Sequence, residues 1–339
     1  MTGNLPRQRE MSARLTVRPA HSRELPLIGT LIKKRLLSLA QTGTQAGKIQ
    51  QMNPEKQLTR LIPDQTLFVA RVGQNLVGLA ALDLDRGQIL ACYLDRELGK
   101  KQHAVALVQA VEQRALAFGL RRLRIRVNSN TEAFFRKLEY TDGLARAAAN
   151  ETVLERSLLG HAEPWQRDRF RQLDELGIPA NYGVRHRLTL VPETDDLVSI
   201  GPDIYGRDQR LIPLAAKAWS AMREAALDQG VELQVVSAFR TATYQSGLIR
   251  RKMEQGKSME AILSSSTAPG FSEHHSGRAL DLTAPGSTPV EEIFATTEAY
   301  HWLRVNAGVF GFRETFPRNN RHGILWEPWH WYYVRNQSS

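Results

Sequence analysis

Apolar and polar positions fall into regular patterns from Leu15 onward, after a polar, basic stretch over residues 1–14 that is expected to form a disordered tail. Two apolar runs, Leu67–Val72 and Leu76–Leu82, flank Gly73-Gln74-Asn75, which predicts a β-hairpin. Ile89–Leu94 continues the sheet, and His103–Phe118 carries apolar residues at helical spacing. Over Arg122–Val127 the alternation is strict, so Arg122, Arg124 and Arg126 share one face of a strand while Leu123, Ile125 and Val127 share the other. Asn130–Leu138 returns to helical spacing.

The pattern then lapses. Residues 146–164 contain alanines, a polar segment and Gly160-His161-Ala162-Glu163-Pro164, which reads as a linker between domains over 15–145 and 165–339. A chain of 339 residues exceeds what one ordinary core holds, so two domains is also the expectation from length. In the second domain, Ala215, Ala218, Trp219, Met222 and Ala226 form a helical stripe with Gly230 as its expected C-cap, and Val231–Val236 follows as a strand. Helices and strands alternate without a βαβ rhythm, which predicts an α+β class.

Charge changes the picture in the first half only. Residues 1–150 hold 24 Lys and Arg against 12 Asp and Glu, a net +12, whereas the remainder holds 21 against 23. A basic surface of that size can serve an acidic partner, a phosphate-bearing cofactor, or docking of the chain to itself or to others. No basic–aromatic interleaving accompanies it, so nucleic acid is not the expected partner. No apolar run approaches the roughly 20 residues needed to span a bilayer. The basic opening has no apolar stretch behind it, so a secretory signal is not expected and a cytoplasmic setting is. Cys92 is the single cysteine, which excludes an internal disulfide framework and a cysteine-rich metal site.

Candidate chemistry lies in the second domain. Thr267–Asp281 reads TAPGFSEHHSGRALD, and Glu327-Pro328-Trp329-His330 follows downstream. A catalytic zinc site takes three ligands from His, Asp or Glu and keeps one position open. His274, Asp281 and His330 supply that set, with Glu327 as a base for the attacking water. Gly277 permits a turn after His274, and the strand that follows can carry Asp281 back towards it. HExxH is absent, so the helical arrangement of thermolysin-type enzymes is not expected. Taken singly, an Asp seven residues after a His, or an E-x-x-H, is a common chance occurrence. Their joint presence in one longer pattern is not.

Ser272-x-His274-x-x-Gly277-x-Ala279-x-Asp281 with Glu327-x-Trp329-His330 resembles the VanY/LAS group of zinc peptidases, which includes D-alanyl-D-alanine carboxypeptidases, L,D-carboxypeptidases and VanX-type dipeptidases. The likeness spans roughly residues 180–335 and takes in SAFRTATYQ, similar to that group's S-G-Y-R-S-x-x-x-Q, and GFRETFP ahead of EPWHWYYV. It implies an α+β peptidase domain with Zn2+ held by His274, Asp281 and His330, and Glu327 as general base. It further implies that Arg240 holds a substrate carbonyl or carboxylate, and that Gln245 and Ser272 line the pocket for the terminal residue. Ala238 stands where the group often has Gly, and Tyr332 where a basic residue is common. His275 falls at a variable position beside a ligand, either behind the ligands or exposed.

Residues 15–142 resemble the GNAT acetyltransferases, a mixed α/β fold, with NSNTEAFFRKLEYTDG similar to that family's closing segment. Such enzymes bind the pyrophosphate of acetyl-CoA on backbone amides of a glycine-rich loop at a helix N-terminus. Here the loop reads Gly99-Lys100-Lys101-Gln102-His103-Ala104 and lacks the inner glycine, Phe135 replaces a frequent tyrosine, and Glu139 a frequent glycine. The expectation is a retired acetyltransferase, serving as a binding or docking module, that binds acetyl-CoA weakly or not at all.

Together these features predict a zinc carboxypeptidase removing D-Ala from peptidoglycan stem peptides, most naturally as an L,D-carboxypeptidase on cytoplasmic tetrapeptides during cell-wall recycling. The alternatives are a D,D-carboxypeptidase or dipeptidase on D-Ala-D-Ala ends, a bifunctional protein with an active acetyltransferase, and a non-catalytic peptide binder. Glu327, which catalysis needs and binding does not, argues against the last.

Overall fold

The computed structural model describes residues 14–40, 42–144 and 151–334; the tail expected over residues 1–14 falls, apart from Arg14, outside them. The chain divides into two compact units, Met1–His161 and Ala162–Ser339.

The first unit runs β1 (Leu15–Pro19), α1 (Leu25–Leu37), α2 (Gly43–Gln51), α3 (Pro54–Leu58), β2 (Leu67–Val72), β3 (Asn75–Asp83), β4 (Gln88–Leu94), α4 (Lys101–Ala117), β5 (Arg122–Val127), α5 (Ser129–Arg136), β6 (Thr141–Asp142) and β7 (Thr152–Ser157). Its seven strands form one sheet in the order β1-β2-β3-β4-β5-β7-β6. The hairpin read from Gly73-Gln74-Asn75 is β2–β3, and α4 and α5 lie where apolar spacing placed them. β4 and β5 are parallel and record only two residue pairs, Gln88↔Arg124 and Ile89↔Ile125. Leu67, Val69 and Leu79 of the sheet pack with Ile28, Leu31 and Ile32 of α1 in one core cluster.

The linker expected over 146–164 needs correction, because residues 152–157 are β7 and pair along the whole of β5. Only Val153 and Leu154 of β7 are buried, too short a stretch to register as a strand pattern in sequence. The pairing also changes the basic face of β5. Arg122 and Arg124 both reach Glu155, at 2.6 and 2.8 Å, so opposite charges meet across the strands.

The second unit runs α6 (Pro164–Glu175), α7 (Tyr182–His186), β8 (Val198–Pro202), β9 (Asp208–Leu211), α8 (Pro213–Leu227), β10 (Gln234–Ser237), α9 (Ala242–Glu254), α10 (Met259–Ser264), β11 (Ala279–Thr283), α11 (Glu298–Asn306), β12 (Phe312–Glu314) and β13 (His330–Tyr333). A four-stranded sheet has the order β10-β11-β13-β12, and β8–β9 is a separate hairpin. The apolar stripe of α8 is buried as expected: Ala215, Trp219, Met222 and Ala226 pack with Leu280, Leu282, Trp302 and Trp331 in the core. Gly230 takes φ +77 three residues past the end of α8. The strand expected over Val231–Val236 begins only at Gln234. Mixed strand order and helices between antiparallel strands make this unit α+β. Among the described residues, no helix is long and apolar enough to cross a membrane.

Candidate active site

The four-stranded sheet places two of the three candidate ligands by register alone. β11 and β13 are antiparallel, and Asp281 lies directly opposite His330. Directly opposed residues have Cβ atoms about 5 Å apart, so two residues remote in sequence meet without any loop having to position them. His274 arrives from a short 3-10 turn, Glu273–Ser276, that ends at Gly277 with φ +66. A Cβ there would stand 2.8 Å from Leu197 Cδ2, so any other residue would have to displace that methyl as well as adopt the left-handed conformation that glycine takes freely.

Nε2 of His274 lies 3.2 Å from Asp281 Oδ1, and Nδ1 of His330 lies 3.0 Å from the same oxygen. One ligand atom from each of the three buried residues can be chosen so that all lie within 4.8 Å of one another, a group able to hold a metal ion. Their outward-facing atoms are also engaged. His274 Nδ1 is 2.5 Å from the Ala238 carbonyl oxygen, which only an N–H satisfies, so Nε2 keeps its lone pair for a metal. His330 Nε2 is 2.9 Å from Glu273 Oε2, and Thr315 Oγ1 donates to that oxygen at 2.6 Å. Metal-binding histidines characteristically carry such a carbonyl or carboxylate behind them, which fixes ring orientation. Glu273 is the residue the sequence reading passed over. Its position next to His274 was visible, but its role depends on His330, 57 residues away.

The electrostatics follow from burial and from these neighbours. Burial lowers the His274 imidazole to about 4, helped by the charge of Arg240. Burial opposes ionisation of Asp281, but His274, His330 and Arg240 outweigh it and hold the carboxyl well below its usual range. Burial also disfavours a charged His330, yet Asp281 and Glu273 on either side raise it to about 10. Burial pushes Glu327 up to about 7, with Asp281 and Glu273 adding to the rise and His330 and Arg240 opposing it.

All seven sequence-selected residues, with Glu273, line one cleft of about 570 Å3. Thr241 caps α9 by accepting from the Tyr244 N–H at 3.1 Å, which sets Gln245 on the first turn. Gln245 is buried, donates through Nε2 to the Thr267 carbonyl at 2.8 Å, and leaves Oε1 without a partner. Ser272 is buried in the same wall. Arg240 donates through Nη2 to Asp281 Oδ2 at 3.1 Å, so its guanidinium is already paired with a carboxylate. His275 is fully buried: its Nδ1 contacts the Arg240 carbonyl at 2.6 Å and its Nε2 accepts from the Gly270 N–H at 3.0 Å. It therefore holds the backbone on either side of the site and is not exposed. Trp326 and Trp329 form cleft wall, whereas Trp331 is core.

In the first unit, the residue that precedes α4 has its backbone amide engaged by a side chain of the helix. The Lys100 N–H, which an anion at the helix N-terminus would need, donates to His103 Nδ1 at 3.1 Å. Glu139 adopts φ +63, the left-handed conformation for which glycine is the usual choice. Phe135 is buried edge-on against Tyr140, 5.4 Å between centroids.

Residues 208–336 match the family model VanY, D-alanyl-D-alanine carboxypeptidase, and residues 34–140 match the acetyltransferase (GNAT) family model. Each of the two units thus matches one family model. It is similar to the putative carboxypeptidase YodJ of Bacillus subtilis (strain 168), at 30% identity over 131 residues that cover 37% of this chain and 46% of that protein. A D-alanyl-D-alanine carboxypeptidase of Enterococcus faecalis (strain ATCC 700802 / V583) is 34% identical over 122 residues, 33% of this chain and 43% of that one. The chain therefore spans less than half the length of these relatives. Among solved structures, it is similar to the LD-carboxypeptidase LdcB at 29% sequence identity and a TM-score of 0.38, covering 42% of this chain and 69% of that one.

Proposed function

We propose that the C-terminal domain is a zinc carboxypeptidase that removes a terminal D-alanine from peptidoglycan stem peptides, acting as an L,D-carboxypeptidase on tetrapeptides inside the cell. The observation that carries the reading is the buried His274–Asp281–His330 group with Glu327 in the same cleft. Two imidazoles, one carboxylate and no thiolate suit Zn2+, and the carbonyl and carboxylate behind the imidazoles fit a metal centre better than a simple ion-pair cluster. Bound there, zinc would activate water and polarise the scissile carbonyl.

Glu327 takes the proton of the attacking water and passes it to the departing amine. A carboxyl poised near neutrality suits both halves of that task. Arg240, fixed against Asp281, offers its remaining N–H groups to the carbonyl oxygen as negative charge develops there. Gln245 and Ser272 wall the pocket for the terminal residue. The tetrapeptide is favoured because trimming pentapeptide precursors would remove the bond that cross-linking consumes.

Incubation of zinc-loaded protein with tri-, tetra- and pentapeptide muropeptides, read by mass spectrometry, tests the reading. Tetrapeptide should lose D-alanine fastest. Faster pentapeptide cleavage would replace it with a D,D-activity, and cleavage of an amidated terminus at an equal rate would indicate an endopeptidase. Glu273→Ala, which removes the partner of His330 Nε2, should weaken zinc binding about 10- to 100-fold in a chelator competition. Unchanged affinity would show that Glu273 does not orient this ligand.

For the first domain, the engaged Lys100 N–H and the Gln102 side chain favour a retired acetyltransferase. Calorimetry should detect weak acetyl-CoA binding or none; a micromolar affinity would revive the bifunctional alternative.

A further inference from the structure

Of the Lys and Arg side chains that line the cleft, Arg240 and Lys252, only one is tied to an acid. Arg240 is paired with Asp281. Lys252 is half-buried, and its Nζ donates to Ser266 Oγ at 2.6 Å. Among the described residues, no carboxylate lies within ion-pairing distance of it. Burial disfavours its charged form, the charges of Lys257 and Arg240 add to that, and Glu327 opposes it. Gln245, Leu248 and Lys252 stand at i, i+3 and i+7 on α9 and all line the cleft, as one face of a helix must. A half-buried ammonium carries three donors and costs desolvation energy unless an anion meets it. One donor is taken by a hydroxyl, whose own proton is thereby free to donate.

We propose that Lys252 and Ser266 form the anion subsite of the cleft and hold the free α-carboxylate of the peptide's terminal residue. This rests on the carboxypeptidase reading and divides its labour: Arg240 serves the carbonyl under attack, and Lys252 recognises the end of the chain. The subsite would account for action at a terminus, since an internal peptide presents a neutral amide to Lys252.

The full chain carrying Glu327→Gln should turn over slowly enough for affinity to be measured by calorimetry. The probes are the stem tetrapeptide ending in D-alanine and the same peptide with a terminal amide. The parent should prefer the free acid roughly 10- to 100-fold, the effect of a charge-assisted hydrogen bond. Adding Lys252→Met should abolish the preference by weakening only the acid, Lys252→Arg should restore most of it, and Ser266→Ala should reduce it in part. A Lys252→Met protein that keeps the preference, or weakens both probes equally, overturns the assignment. If Lys252→Met fails to fold, the decision passes to Ser266→Ala and Lys252→Arg, and an undiminished preference in Ser266→Ala overturns the paired subsite. A parent that binds neither probe, or binds both alike, refutes the carboxypeptidase reading itself, which separates the two failures.

Discussion

Replacing His274 with alanine should leave the protein without stoichiometric zinc and without peptidase activity, the largest effect expected of any single change. Two ligands remain in that variant, and one of them, His330, already sits between the carboxylates of Asp281 and Glu273. Without a metal that imidazole is held protonated by its neighbours, and a protonated ring cannot coordinate. Zinc must displace that proton in the parent as in the variant, and with one ligand fewer the variant has less binding energy to do so. Elemental analysis of purified His274→Ala protein checks it. One zinc per chain retained in that variant would remove His274 from the ligand set.

Glu327→Gln should keep the metal and lose at least about 10²-fold in kcat, because an amide cannot accept the proton of the attacking water. Near-normal turnover would assign that step to another group. In the unsubstituted enzyme, kcat/KM should fall as pH drops through an apparent pKa at or below about 7, since Glu327 acts only when ionised and a nearby cation draws its pKa down. The same substitution separates stability from activity. The folded carboxyl titrates near 7 and the unfolded one near 4.5, so its contribution to stability is full below about pH 4.5 and is lost as pH rises towards 7. Metal-free Glu327→Gln should then melt several degrees higher than its parent at pH 8, since the shift from 4.5 to about 7 corresponds to about 3 kcal/mol, and at nearly the same temperature at pH 4. A lower Tm at pH 8 would show that the carboxylate is stabilising and therefore better paired than its surroundings indicate.

Much of this was legible in the chain itself. Local periodicity placed β2, β3, β4, α4, β5 and α8, because each has one apolar face whose spacing appears within a single window of sequence. Thr267–Asp281 and Glu327–His330 named the candidate ligands and base, because the residue types are uncommon together and Gly277 marks a turn that glycine makes without strain. Three features were not legible, for one common reason: their partners are remote in sequence. β7 is a strand because β5 lies beside it, and its two buried residues carry too little pattern to show this alone. Glu273 matters because His330 points at it from β13. Lys252 stands out because Arg240, the other cation of the cleft, is spoken for by Asp281, an ion pair between β11 and the segment before α9. Sequence determined which chemistry-bearing residues the chain possesses and which local elements carry them. Only the tertiary structure decided which of those residues face one another, because the β11–β13 register and the packing of α9 join segments that no local pattern relates.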